Sequence, residues 1–301
     1  MGENILNLIS AEDFNNQMNT MVAIQAAMAR QMGVKDQIEI PALQDWQFIQ
    51  KVVKLGLAPK LWKVGDTITA QHAKYGKIDF DIIGFDVEEP VDENVKYTMT
   101  IQTHAPVISL VFDQPEPTNP DANRQKYGSN NWQYSNVRQW LNSELGAGYW
   151  FTPQTEYDVK PGYASTEDGF LKGMGQDFKQ SIVEVKKTTA LNTVTDNGGS
   201  IITHDKGFLL SNTEIYAGLN GGIAEGVAYP YYSETSDLSS PGTGNDKNRI
   251  KYNAGGSAQH WWTRSPFTGY SHYVYNVLTT GGVSSYYASS SNGVAPAFVI
   301  G

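Results

Sequence analysis

The last part of the chain carries no charged side chain. No Asp, Glu, Lys or Arg follows Arg264, and residues 268–292 read TGYSHYVYNVLTTGGVSSYYASSSN. Within this segment short apolar and polar runs alternate as in half-buried β-strands, so frame residues such as Val274 and Val277 are expected to face the core and the polar residues between them to face solvent. Gly281 and Gly282 mark a turn between two such runs. The segment is therefore expected to form short strands that bury the valines and expose Tyr, Ser and Asn.

Tyrosine and serine are concentrated in this same stretch. Tyrosine provides a large contact area and a hydroxyl group while few torsions are frozen, and Ser, Gly and Asn provide adaptable hydrogen bonds, as in antibody combining sites. The clustering favours an interaction surface over its alternative, a Ser-rich surface loop with scattered tyrosines. The residues concerned are Tyr270, Tyr273, Tyr275, Tyr286 and Tyr287 with Ser271, Ser284, Ser285, Ser289, Ser290 and Ser291.

Composition excludes several classes of chemistry. The formal net charge is −9 without any basic stripe, which argues against a nucleic-acid partner. There is no cysteine, so disulfides, zinc–thiolate sites and cysteine nucleophiles are absent. The five histidines are widely spaced, and no Gly-x-Ser-x-Gly or phosphate-binding Gly-Lys motif occurs. We therefore expect no cofactor, no metal and no enzyme activity. The N-terminal residues show no signal-peptide pattern, and no apolar run is long enough for membrane insertion.

Upstream, the pattern predicts an α+β fold. Residues 1–36 are expected to form a helical segment whose apolar residues, Phe14 to Met32, follow a heptad-like spacing; it either self-associates or packs on its own domain. Residues 37–301 form the remaining domain. Predicted helices cover 42–55 and 136–145, and residues 113–128 are a predicted loop. Predicted strands cover 67–71, 77–85, 97–102, 108–112, 184–187, 207–210, 214–216, 274–278 and 297–300.

The C-terminal segment also resembles a known family. Its frame of Trp261, Trp262, Arg264, Ser265 and Pro266, then Val274, Val277, Gly281 and Gly282, then Gly293 to Ala297, is similar to the variable region of proteins diversified by retroelements. KVGD at 63–66, IIGFD at 82–86 and SNVRQWL at 135–141 resemble the companion scaffold of phage tail-associated relatives. This resemblance implies a C-type lectin-type fold with short antiparallel strands, two or more helices and long loops.

The resemblance further implies a variable region at about 259–292. In such proteins Asn codons of a template repeat are copied with errors, which readily produces Tyr, Ser, His, Thr, Asp or Asn. The ligand-binding positions implied are Thr268, Tyr270, Ser271, His272, Tyr273, Tyr275, Asn276, Ser284, Ser285, Tyr286, Tyr287, Ser289, Ser290 and Ser291. The implied scaffold frame is Trp261, Trp262, Arg264, Pro266, Gly293 and Pro296.

Two alternatives concern the lectin-like features. Trp261, Trp262 and Arg264 either anchor the core, as frame positions would, or stack on a ligand. The fragments Gln114–Glu116 and Asn131–Trp132 echo calcium-binding lectin motifs only loosely, and the C-terminal segment has no acidic side chain. We therefore expect recognition without a metal ion. The formylglycine-generating enzymes of the same fold group depend on cysteine, which this chain lacks.

The expected function is thus ligand or receptor binding through a diversified surface, with a host-surface protein or a glycan as ligand. The expected location is the virion, at a phage tail tip, or otherwise a cell surface. Other tail or surface subunits and further copies of the chain are expected partners, with a trimer favoured because several weak sites then give avidity. The competing hypotheses are a structural virion or surface protein that uses the same face for subunit contacts, and a cysteine-free enzyme of related fold.

Overall fold

The computed structural model describes residues 45–233 and 247–301, and the predicted N-terminal helical segment at 1–36 lies outside them. The described chain is mixed α+β, and its strands are mostly antiparallel. The strands form two larger sheets, which contribute much of the core, and two further two-stranded sheets. The α+β class predicted from the sequence is therefore confirmed.

The first sheet is built around the C-terminal strand. Its order is β1-β2-β3-β15-β5, with β8 also pairing with β15, and all its pairs are antiparallel. Strand β15 carries apolar side chains on both of its faces, because the whole strand is buried in the middle of the sheet. The strands are β1 (Thr67–His72), β2 (Gly76–Phe85), β3 (Met99–Thr103), β5 (Ile182–Val183), β8 (Gly207–Phe208) and β15 (Ala297–Ile300).

The second sheet contains the charge-free segment. Its order is β13-β12-β11-β14-β4, and all pairs are antiparallel except β11 with β14, which is parallel. The strands are β4 (Ile108–Val111), β11 (Trp261–Pro266), β12 (Tyr273–Val277), β13 (Val283–Tyr287) and β14 (Ser291–Val294). The two-stranded sheets pair β6 (Val185–Ala190) with β7 (Ser200–Asp205), and β9 (Lys251–Tyr252) with β10 (Ala258–Gln259).

The helices are short. The longest described one, α1 (Trp46–Lys54), begins after Asp45, whose side chain accepts the backbone N–H of Phe48. Two residues after its end, Gly56 adopts a positive φ of 68°. It buries Ile49, Val52 and Val53 as its pattern predicts. The helices are α1 (Trp46–Lys54), α2 (Ala58–Leu61), α3 (Ala122–Tyr127), α4 (Asn136–Leu141), α5 (Phe170–Gly173), α6 (Gln176–Ser181) and α7 (Pro230–Ser233).

Two local predictions are wrong. The segment 214–216 is a turn and not a strand, because Ser211 and Glu214 cap each other: the N–H of Ser211 donates to Glu214 Oε2 (2.9 Å) and the N–H of Glu214 to Ser211 Oγ (3.2 Å). The loop at 113–128 contains α3, whose first turn is capped by Asp121. This second difference matters because α3 ends at the tyrosine that joins the candidate site.

Candidate functional site

Strands β12 and β13 form a hairpin that separates the segment into two faces. In the register Tyr273 lies opposite Tyr287 and Tyr275 opposite Ser285, and these four side chains share the outer face. The intervening residue Val274 is fully buried below them. We call Tyr273, Tyr275, Ser285 and Tyr287 the outer face.

A stack of tyrosine rings runs across this face. The ring of Tyr127, at the end of α3, lies 3.9 Å from that of Tyr287 between centroids, with 7° between the ring planes. The ring of Tyr273 lies 4.9 Å beyond Tyr287 at 25°. We call Tyr127, Tyr287 and Tyr273 the tyrosine ladder. Because its rings cover one another's faces, a ligand would meet mainly ring edges and hydroxyl groups.

The hydroxyls of the ladder are linked. Hydrogen bonds to Tyr273 and Tyr127 raise the pKa of the Tyr287 phenol to about 12. A hydrogen bond from Lys126, helped by one from Tyr287, lowers the pKa of Tyr127. The Tyr287 phenol therefore stays neutral near neutral pH, and Lys126 Nζ lies 5.0 Å from the centre of the Tyr127 ring at the end of the ladder.

The turn between β11 and β12 is held by one buried amide. Asn130 Nδ2 donates to the carbonyls of Tyr270 (2.6 Å) and Tyr273 (2.9 Å). The backbone N–H of Asn130 donates to the Ser271 carbonyl (3.1 Å). Its Oδ1 accepts from Asn192 Nδ2 at 2.9 Å. Asn130 is fully buried, and its bonds go to backbone carbonyls of the turn, so they do not depend on which side chains the turn carries.

The ion pair of Arg124 and Asp196 is linked to Asn130 through the side chain of Asn192. Asp196 accepts from Arg124 at 2.8 Å and from the side-chain amides of Asn131 and Asn192, each at 2.9 Å. Arg124 belongs to α3, so the same pair ties the helix that supplies Tyr127 to the loop that supplies Asn192. Sequence reasoning missed Tyr127, Asn130 and this pair, because they lie far from the Tyr/Ser-rich segment in the chain.

Most of the implied ligand-binding positions reach the surface. Tyr270, Tyr286 and Ser291 are exposed. The partly buried positions are Thr268, Tyr273, Tyr275, Ser284, Ser285, Tyr287, Ser289 and Ser290. Tyr286 lies opposite Val274 and so shares its side of the sheet, yet it stays exposed because β13 is at the sheet edge.

Three implied positions are buried, and for them the expectation of solvent exposure is wrong. Ser271 Oγ donates to Asp121 Oδ1 at 2.7 Å. The His272 ring packs against Tyr273 (4.5 Å between centroids), and burial lowers its pKa. Asn276 lies two residues from Val274, and the strand period of two puts both on the inner face.

The scaffold frame lies in the core, as one of the two alternatives predicts. Trp261 and Trp262 are fully buried and donate their indole N–H to the carbonyls of Arg249 (2.9 Å) and Leu110 (3.0 Å). A Cβ on Gly293 would lie 2.7 Å from the His260 carbonyl, so only glycine fits there. The alternative in which the tryptophans stack on a ligand is therefore wrong. The buried frame positions are Trp261, Trp262, Arg264, Pro266, Gly293 and Pro296.

Arg264 is the centre of a buried ion cluster. Its guanidinium pairs with both carboxylate oxygens of Glu214 (2.5 and 2.9 Å) and also donates to the carbonyls of Leu209 and Thr188. Lys187 pairs with Glu214 at 2.5 Å. Burial alone would raise the pKa of Glu214, but the charges of Arg264 and Lys187 lower it below its ordinary value.

A second polar cluster lies at the end of the first sheet. The exposed imidazole of His104 is held through Nδ1 by the buried carboxylate of Asp81, at 2.9 Å from both oxygens. Asp81 also accepts from the hydroxyls of Thr67 (3.2 Å) and Tyr231 (3.1 Å). Lys251 Nζ donates to the Thr103 carbonyl at 2.5 Å, and burial lowers its pKa to about 8. In these contacts the hydroxyls of Thr67 and Tyr231 both donate to the carboxylate of Asp81.

The lectin-like fragments have structural roles. Glu116 accepts from the side chain of Asn119, and Asn131 accepts the backbone N–H of Gln133 at 3.0 Å. Across residues 45–233 and 247–301, no group of three or more His, Cys, Asp or Glu could hold a metal ion. In the same ranges no helix is both long enough and apolar enough to cross a bilayer.

Comparison with known proteins identifies the family to which most of the chain belongs. Residues 102–301 match the family described as Domain of unknown function (DUF6273). The chain belongs to this family. No curated protein and no solved structure matches it.

The DUF6273 match covers the whole second sheet. It includes α3, the Arg264 cluster and every implied ligand-binding position, and it ends with β15 and Gly301. Strands β1 and β2 and helix α1 precede it. The candidate surface and the frame that supports it therefore belong to one family unit.

Proposed function

We propose that the chain is a ligand- or receptor-binding protein of C-type lectin-type fold. Its outer face, together with Tyr127 and Tyr270, is the binding surface, and a retroelement diversifies this surface at the codon level. Its place is a phage tail tip when the chain is viral, and a cell surface otherwise. A host-surface protein or a glycan is the ligand, and no cofactor or catalytic step is involved.

One observation carries the proposal, the separation of frame and face within a single hairpin. Val274 and Val277 are fully buried, while Tyr273 and Tyr275, which flank Val274, and Ser285, which lies opposite Tyr275, reach the surface. The backbone of the adjoining turn is fixed by Asn130, whose side chain lies outside the diversified segment. A surface held in this way tolerates many different side chains, because they contribute little to folding.

The chemistry of the face suits a polar, uncharged epitope. Its own strands carry no charge, so hydroxyl groups and ring edges supply most of the contacts. Tyr270, which is 47% exposed, packs edge-on to Phe267 and Tyr273 and extends the aromatic surface beyond the ladder. Such a surface is rigid before binding and loses little side-chain entropy when a ligand docks.

The test is a set of chains in which Tyr273, Tyr275, Ser285 and Tyr287 are exchanged among Tyr, Ser, Asn and His. Binding to candidate host cells and to a glycan array is measured beside the melting temperature. We expect ligand preference to change while the melting temperature shifts by only a few degrees. Equal binding by all variants would overturn the proposal, and so would a general loss of folding.

A matched control uses His272 and Asn276, two of the three buried implied positions. The same exchanges there should lower the melting temperature, because these side chains are packed on the inner side of the surface. If variants at the outer face fail to alter cell binding but alter association with copurified tail or surface subunits, the structural-subunit hypothesis replaces the proposal.

The diversification claim has its own test in the gene. A neighbouring reverse-transcriptase gene and a near-copy of the 3′ coding end that differs only at template adenines are expected. Their absence around closely related genes would remove the retroelement part and leave a binding surface of ordinary variability.

A further inference from the structure

A second stretch of the chain is almost free of charge. Residues 215–233 read IYAGLNGGIAEGVAYPYYS, and their one charged side chain, Glu225, is fully buried. Two large aliphatic side chains of this stretch are nevertheless exposed, Leu219 at 62% and Val227 at 65%. The stretch therefore offers an uncharged, partly apolar surface, although it lies outside the segment that the resemblance implies to be variable.

This stretch reaches the turn between β11 and β12. Asn220 Nδ2 donates to the Pro266 carbonyl at 2.8 Å. A Cβ on Gly221 would lie 2.7 Å from Thr268 Oγ1, so glycine lets the loop approach Thr268 closely. Leu219 precedes both contact residues in the chain, and its exposed side chain therefore lies beside the start of the diversified segment.

The loop after β6 also reaches Thr268. The N–H and the hydroxyl of Thr193 both donate to the Thr268 carbonyl, at 2.8 and 3.1 Å. The next residue, Val194, is 53% exposed, and Asp196, the charged residue of this loop, is held in an ion pair. Two exposed aliphatic side chains, Val194 and Leu219, therefore flank the same residue of the turn.

Aromatic side chains connect this region with the outer face. Phe267, at the same turn, stacks on Tyr275 with 5.3 Å between ring centroids and 17° between ring planes, and Tyr270 packs edge-on to Phe267 at 5.2 Å. We call Val194 and Leu219 the apolar rim. Since residues 265–301 contain no charged side chain, the apolar rim and the outer face join in one uncharged surface.

Two features of this surface favour a protein over a glycan as its ligand. The side chains of the apolar rim have no hydrogen-bonding atom, so they gain free energy only when another apolar group covers them. A sugar presents hydroxyl groups on most sides, whereas about 55–60% of the accessible surface of a protein is apolar. The tyrosine ladder and the pair of Tyr275 and Phe267 are stacked face to face, which covers ring faces on which a sugar ring would lie.

We propose that the binding surface extends beyond the diversified segment onto the apolar rim, and that the rim packs against apolar side chains of a host-surface protein. This inference rests on the proposed function and names a protein, in place of a glycan, as the class of ligand. Because Val194 and Leu219 lie outside residues 259–292, the rim makes the same contact whichever side chains the face carries. The rim thus supplies affinity to every version of the surface, while the outer face selects the partner.

Treated cells separate the two classes of ligand. Binding of the full chain to candidate host cells is measured after digestion of their surface with proteinase K and, separately, after oxidation of their glycans with periodate. We expect binding to be lost after the protease and kept after periodate. Loss after periodate, or retention after the protease, would overturn this inference and leave the proposed function standing with another ligand. Binding to no cell, treated or untreated, would overturn the proposed function and this inference with it.

Two substitutions test the rim itself. Val194→Ser and Leu219→Ser should each weaken binding to untreated cells roughly tenfold, because an apolar contact with the ligand is lost. The melting temperature should change little, since both side chains are exposed. The matched control is Leu55→Ser, a leucine 55% exposed that follows α1 and precedes the family match, and it should bind as the unsubstituted chain does. Unchanged binding by both rim variants, or an equal loss in the control, would show that the rim does not contact the ligand.

Discussion

The outer face and the frame beneath it come from the same forty or so residues, but they are held in opposite ways. Arg264 in the frame makes bonds to Glu214 and to several backbone carbonyls, and it is fully buried. Tyr273 and Tyr287 on the face make ring contacts with each other and with Tyr127, Tyr270 and His272. Removing a frame side chain leaves buried partners unpaired, whereas removing a face side chain leaves only a space at the surface. Stability is therefore expected to depend mainly on the frame residues and little on those of the exposed face.

The strongest test of this comparison is Arg264→Met. It leaves Glu214 ionised in the core with only Lys187 to pair with, and breaking a buried pair in this way costs about 3–5 kcal/mol. Urea unfolding should show a loss of this size or an unfolded chain. Arg264→Lys, which keeps the charge but not the forked geometry, should recover part of the loss. A loss below about 1 kcal/mol would show that the cluster does not hold the frame.

The next test concerns the link between frame and face. Asn130→Ala removes the donor to the Tyr270 and Tyr273 carbonyls and leaves them unsatisfied in part, at a cost of about 1–3 kcal/mol. Hydrogen exchange should increase in residues 267–273, and any ligand binding should weaken. The control is Asn123→Ala, an exposed amide on α3, which should change neither measurement. Unchanged exchange in the Asn130 variant would mean that the turn is held by other contacts.

A pH experiment contrasts two carboxyl groups. The ion cluster lowers the pKa of Glu214, whereas burial raises the pKa of Glu116 to about 7 against the attraction of Arg124. A group whose pKa is raised by folding binds more protons in the folded state, so its contribution to stability is complete below its unfolded pKa near 4.5 and is lost as pH rises through about 7.

We therefore expect the stability of the unsubstituted chain relative to Glu116→Gln to fall between about pH 4.5 and pH 7, and to level off above that. Urea midpoints of both proteins across this range measure the difference. A constant difference across the range would show that Glu116 titrates as an ordinary exposed carboxyl.

The smallest expected effect is on the face itself. Tyr270→Ser should change stability by less than about 0.5 kcal/mol, because the side chain is nearly half exposed and serves no buried hydrogen bond of its own. His272→Ser, two residues away, should cost clearly more, since that ring is buried between tyrosines. Equal costs for the two variants would contradict the distinction between exposed and buried positions within the turn.

Much of the fold could be predicted from local pattern. The strand at Ala297–Ile300 has the bounds expected, and the helix at 136–141 begins at its Ser135 cap, because apolar period and capping residues act within a few positions. The turn at 214–216 was missed because its three residues have strand-like composition, and the pairing of Ser211 with Glu214 overrides it. The short α3 was missed within a segment rich in Pro, Asn and Asp.

The sequence alone shows that the C-terminal segment is charge-free and that it forms short strands separated by glycine turns. These properties follow from residue type and from the two-residue period of a strand, which no distant contact changes. Only the tertiary structure decided that Ser271, His272 and Asn276 lie inside, that Tyr127 joins the ladder and that β13 is an edge. Each of these depends on which distant segments pack together, and spacing along the chain does not encode that.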